Sequence, residues 1–127
     1  MKSWKDLGFE IETTGDGSPS LRLLQSNRPD REKGESMHHS GGAYSETELI
    51  YGTVIRECFD QIEKPHFCVV GLGLGYIELL IAREAIQRKK SFLLTSYEAR
   101  VELQENFLSC IRNSEFDEEI QDVYASV

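Results

Sequence analysis

The chain of 127 residues has the size of one domain, large enough to bury a core but small for an α/β enzyme. Its net charge of −8 disfavours loose attraction to phosphate backbones, which is built from Lys and Arg contacts, but leaves a small-molecule pocket open. No apolar run reaches the ~18 residues that span a bilayer, and Met1-Lys2-Ser3-Trp4 leads into no apolar stretch. No membrane partner and a cytoplasmic location are therefore expected.

Phe9-Glu10-Ile11-Glu12-Thr13 alternates apolar and polar residues as a half-buried strand does, and Ser20-Leu21-Arg22-Leu23-Leu24 repeats the pattern. The turn formers Thr14-Gly15-Asp16-Gly17-Ser18-Pro19 between them predict a β-hairpin. Residues 25–34 are polar and charged, an exposed loop. Ser45-Glu46-Thr47-Glu48 has the form of a capping box, in which Ser45 bonds the Glu48 amide and Glu48 reaches back. A helix is predicted over residues 46–63, ended by Pro65, with Tyr51, Val54, Ile55, Cys58, Phe59 and Ile62 inward.

An α/β alternation follows. Phe67-Cys68-Val69-Val70 is a continuous apolar run, expected to be a strand covered on both faces. After a glycine-rich loop come a helix over 76–88, a buried strand over 91–95, and a helix over 100–112 with Leu103, Phe107, Leu108 and Ile111 inward. One more helix over Phe116, Ile120, Val123 and Tyr124 is possible from position 115 on. The three cysteines, Cys58, Cys68 and Cys110, lack CxxC spacing, which argues for buried, reduced thiols rather than a disulfide framework or a zinc site. The His38-His39 pair offers no metal-ligand spacing, so no metal is expected.

Gly71-Leu72-Gly73-Leu74-Gly75 joins the C-terminal end of a buried strand to a helix N-terminus, where amides and the helix dipole favour a polar or negative ligand group. The spacing is GxGxG, with Tyr at position 76. The GxGxxG form suits a dinucleotide pyrophosphate; GxGxG is the commoner signature of enzymes that use S-adenosylmethionine (SAM). Glu98 stands just past the second strand, roughly 20 residues beyond the last glycine, placed to accept the hydroxyls of an adenosine ribose. The expected fold is an incomplete, Rossmann-like α/β domain with an N-terminal hairpin and helix. Residues 1–44 would form the hairpin and a substrate or cofactor loop, and 45–127 the first half of the cofactor domain. The same residues admit a structural role, the glycines in a tight turn and Glu98 as a helix N-terminal acid.

Thr14-Gly15-Asp16-Gly17-Ser18-Pro19-Ser20-Leu21, followed by Met37-His38-His39-Ser40-Gly41-Gly42-Ala43-Tyr44-Ser45-Glu46, resembles the N-terminal signature of the MnmC-type tRNA methyltransferases. The resemblance runs in order over roughly residues 9–110. It implies a SAM-dependent enzyme that methylates the aminomethyl group of a wobble uridine, with tRNA as partner. It also implies that His39, Ser40, Gly42, Ala43 and Glu46 lie near cofactor and substrate, with Gly71, Gly73, Gly75 and Glu98 on SAM. Glu46 can equally cap its helix, His39 tie a loop, and Gly41-Gly42 make a turn. The chain departs from the family where an acid is expected two positions before the first glycine, since Val69 stands there. The family's Asp-Ala-Phe type motif has no counterpart after Cys110 either, and neither do the strands that would complete the sheet.

Methyl transfer by in-line displacement would need a neutral amine, positioned and shielded from water, and the residues name no general base. The alternative is a non-catalytic α/β protein that uses half a sheet for self-association or partner binding. A strand edge and apolar face left open predict a dimer under either reading.

Overall fold

The computed structural model describes residues 3–24 and 34–112, and within these the chain is a mixed α/β fold. The predicted loop over 25–33 and the helix proposed from position 115 lie outside the described residues. A short 3₁₀ turn, Lys5–Leu7, leads into β1 (Phe9–Thr13), which pairs antiparallel with β2 (Pro19–Leu23). Phe9 and Leu21 point into the core from this hairpin, as their alternation requires.

A single helical run follows in three parts: α1 (Ala43–Thr47), a π-helical turn (Glu48–Gly52) and α2 (Thr53–Gln61). Its buried positions are Ala43, Thr47, Gly52, Ile55 and Phe59. The step from 47 to 52 is one residue longer than an α-helix allows and coincides with the π turn. That extra residue rotates the downstream helix by about 100°. The expected inward stripe is thereby broken: Ile55 and Phe59 are buried, but Tyr51, Val54 and Ile62 are exposed, and Leu49 is 82% exposed.

β3 (His66–Val70) and β4 (Leu93–Tyr97) pair parallel, joined by α3 (Tyr76–Arg88), because parallel neighbours need a long crossover. β4 lies two residues later than its apolar run suggests: Leu93 starts the ladder by donating to the Pro65 carbonyl at 3.0 Å, and the register continues to Tyr97. Phe67, Val69 and Leu94 share one face with Ile55 and Phe59 of α2 and with Leu80, Ile81 and Ala85 of α3. The expectation of a strand covered on both faces does not hold among the described residues. Cys68 and Thr95 are exposed on the opposite face, with Val70 81% and Tyr97 58% exposed. Cys68 is thus no buried thiol, and Cys58 is only partly buried.

α4 (Val101–Arg112) packs Leu103 and Phe107 inward, whereas Leu108, also expected inward, is half exposed. A second core joins the two halves of the sequence: Leu7, Phe9 and Leu21 meet Leu74, Tyr76, Leu79, Leu103 and Phe107. The hairpin is therefore packed on the start of α3 and on α4. Among the described residues no helix is long and apolar enough to cross a membrane.

Candidate functional site

Two helix N-termini define the region. The first belongs to α1 and is closed by the hairpin turn. The Ala43 amide donates to Thr14 Oγ1, the Tyr44 amide to Ser18 Oγ and the Ser45 amide to Asp16 Oδ2, each at 2.9 Å. These three amides are among the donors that a helix start leaves without internal partners. The Ser45 hydroxyl also donates to Asp16 Oδ2, at 2.7 Å. The predicted capping box is not formed, because the helix begins at Ala43, ahead of Ser45, and Glu48 pairs instead with Arg56. Partial desolvation works to raise the Asp16 pKa, but the hydrogen bonds from Ser18 and Ser45 outweigh it and hold this carboxyl far below the usual carboxylate range.

The second N-terminus belongs to α3. Gly71, Gly73 and Gly75 have φ of +86°, +53° and +79°, the left-handed region open to glycine. The Gly71 amide continues the β-ladder to the Tyr97 carbonyl, and the Gly75 amide closes a turn onto the Leu72 carbonyl, both at 2.8 Å. Gly75 is the N-cap and offers no side chain to the helix start. A Cβ at Gly75 would collide with the Phe107 ring, and one at Gly73 would lie 2.9 Å from Met37 Sδ. Close approach therefore requires glycine at position 75, while at 73 the left-handed backbone favours it.

Glu98 stands between this loop and α4. Its Oε2 accepts the Leu72 amide at 3.2 Å and its Oε1 the Arg100 amide at 3.1 Å. The carboxylate thus ties the glycine loop to the start of α4, and it also faces the cavity beneath the loop. That cavity, of about 360 Å³, has Gly71–Gly75, Glu98, Glu46, Tyr51, Met37 and His38 in its wall. Its charged lining groups are carboxylates; no Lys or Arg contributes to it among the described residues.

Of the residues singled out in the sequence, Gly71, Gly73, Gly75, Glu98 and Glu46 come together here. His39, Ser40 and Gly42 do not. The His39 Nδ1 accepts the Gly41 amide at 2.9 Å and its own amide donates to Glu46 Oε2 at 2.7 Å. The Ser40 carbonyl accepts the Gly15 amide at 2.8 Å. Gly42 is buried against Asp16, where a Cβ would lie 2.6 Å from Oδ2. Ser40 and Gly42 thus tie the hairpin turn to the start of α1, and His39 ties its own loop to Glu46 of α1.

His38 takes the place that His39 was expected to hold. Its Nδ1 lies 3.0 Å from Ser20 Oγ, and its ring meets Tyr76 edge-on at 5.4 Å. Ser20 is fully buried, and the Tyr76 hydroxyl donates to the Pro19 carbonyl at 2.6 Å, so both neighbours are themselves fixed. Burial pushes the His38 pKa below the ordinary imidazole value, with nearby Glu46 partly offsetting it, so the ring is neutral at pH 7. Nothing in the sequence separates one adjacent histidine from the other; the backbone path after β2 does.

A second cavity of about 520 Å³ lies between α3, the edge of β4 and α4, and is mostly apolar, with Phe92, Leu94, Phe107 and Leu108 in its wall. Glu78 lines it, buried and accepting the Ser96 hydroxyl at 2.7 Å. Burial raises the Glu78 pKa, only partly countered by hydrogen bonds from Ser96 and its own amide. Among the described residues no group of three metal-binding side chains is found. Compared with protein-family models, curated proteins and solved structures, the chain matches none.

Proposed function

We propose that the cavity beneath the glycine loop binds SAM, and that the chain is a Rossmann-like methyltransferase unit of the tRNA wobble-uridine-modifying type. One observation carries this reading: a GxGxG loop with all three glycines left-handed is tied to Glu98 over a cavity whose charged lining groups are carboxylates. A dinucleotide pyrophosphate would meet Glu46 and Glu98 there with no described Lys or Arg to balance it, whereas a sulfonium and an ammonium meet them favourably. Glu98 has acceptor positions beyond those used by Leu72 and Arg100, since a carboxylate offers about four. Ribose hydroxyls can therefore donate to it without breaking the loop.

When bound, SAM would supply an activated methyl group. The residues of this chain would hold and enclose it: the glycines by close backbone approach, Glu98 at the ribose hydroxyls, and Glu46 and His38 as further lining of the same cavity. The proposed acceptor is an amine on a modified uridine of tRNA, a proposal that rests on the resemblance.

Titration calorimetry tests the reading. Micromolar binding of SAM and S-adenosylhomocysteine is expected, weakened at least about tenfold by Glu98→Ala, as loss of hydrogen bonds to a charged group predicts. Gly73→Val should abolish it, because a side chain there is both strained and pressed on Met37. Absence of binding up to millimolar SAM would sink the proposal, and NAD binding in its place would overturn the argument from loop spacing and charge.

The exposed face of β3 and β4, with Val70 and Tyr97, favours a second reading: a non-catalytic protein that self-associates through half a sheet. Light scattering that gives a monomer at high concentration removes it.

A further inference from the structure

The ligand proposed for the glycine-loop cavity and its product differ at the sulfur: SAM carries a methyl group and a positive sulfonium there, S-adenosylhomocysteine a neutral thioether. The packing of the methyl does not titrate, so the change of their affinity ratio with pH reads the electrostatic field at that sulfur. Resting on the reading of this cavity as a SAM site, we infer that His38 sets the preference for cofactor over product: an uncharged imidazole admits the sulfonium, and a protonated one opposes it.

The geometry supports this in three ways. His38 lines the same cavity as the glycine loop and both carboxylates. Its ring is held by buried Ser20 on one edge and by Tyr76, so it does not swing to solvent to relieve a charge conflict. Its neighbours are Glu46 from α1, Tyr76 from α3 and the neutral Ser20 from β2, and the other titratable groups of the cavity wall are Tyr51 from the π turn and Glu98 beyond β4. Glu46 and Glu98 are the carboxylates of this wall, and His38 is its one imidazole among the described residues, the side chain that can change between neutral and positive. The lowered pKa of His38 agrees with a ring that is neutral at pH 7. His39, tied to the Gly41 amide outside the cavity, is not expected to contribute.

Calorimetry with SAM and with S-adenosylhomocysteine at about pH 7.5 and about pH 5 tests the inference. SAM should lose about tenfold in affinity on acidification and S-adenosylhomocysteine less than about twofold, the size expected for one like charge sharing a partly wet cavity. His38→Asn should remove most of the difference. Because that variant alters the contact with Ser20, proton NMR of the wild-type protein gives an independent readout. The midpoint of the His38 C2 proton should move to lower pH when SAM saturates the site, and stay in place with S-adenosylhomocysteine. A midpoint unmoved by bound SAM, or an affinity ratio equal at both pH values or unchanged by the variant, overturns the inference and leaves the cavity reading standing. Failure of both ligands to bind at either pH removes the reading and the inference together.

Discussion

The turn at Asp16 and the loop at Gly71–Gly75 both deliver a helix N-terminus, and they treat it in opposite ways. The turn spends three side chains, Thr14, Asp16 and Ser18, on the first amides of α1, so that helix start is satisfied from within the chain. The loop brings glycines in left-handed conformations to α3, offers no side-chain cap and borders a cavity. The carboxylates nearby diverge in the same way. Asp16 is kept ionised by the hydrogen bonds it accepts, while buried Glu78, in the first turn of α3, is pushed toward its neutral form. One helix start is closed by its own chain; the other, left to backbone and glycine, has an open cavity beside it.

The contrast can be broken hardest at Gly75. Gly75→Ala puts a Cβ into the Phe107 ring and a non-glycine residue at φ +79°, and should destabilise by about 3 kcal/mol or more in urea unfolding. Gly71→Ala is the control: its φ of +86° is equally strained, but no atom lies within 4 Å of the new Cβ, so only about 1–2 kcal/mol should be lost. Equal losses at the two sites would show that packing on Phe107 does not matter.

Asp16→Ala removes a helix cap and should cost about 1–2 kcal/mol, and should leave the proposed SAM binding unchanged, because Asp16 lies outside the cavity. A change in affinity would mean that the turn also shapes the site.

The smallest effect concerns pH. Glu78 has its folded pKa raised, so its contribution to stability is fully present below the ordinary carboxylate pKa and is lost as pH rises through the folded value. Glu78→Gln should therefore gain melting temperature relative to wild type as pH rises from about 5 to about 8. Asp16 has the opposite sign: its folded pKa is depressed, so its contribution is present above the ordinary carboxylate pKa and fades only in strong acid. A flat difference between Glu78→Gln and wild type across that range would show that Glu78 ionises without penalty.

The hairpin, α3 with its bounds at Tyr76 and Arg88, and the glycine loop were legible in the sequence, because alternation, helical spacing and glycine punctuation are local signals. The inward stripe after Thr47 was not, since a π turn changes the helical phase without changing composition. Coverage of β3 was misjudged for a related reason: an apolar run shows that a strand can be buried on both faces, not that a second layer is present to bury it. At the site, Glu98 and the glycines could be chosen from spacing alone, but His38 could not be preferred over His39.

By itself the sequence determined the α/β alternation, the glycine loop between strand and helix and the acid that follows it, all consequences of residue type and spacing along the chain. Tertiary structure decided that the Asp16 turn, and not Ser45, caps α1, that Glu46 and His38, 25 and 33 residues before Gly71, join the loop, and that His39, Ser40 and Gly42 stay outside. Those outcomes depend on which side chains a folded backbone brings within a few ångströms, and hydrogen bonds at that range are set by direction as much as by identity.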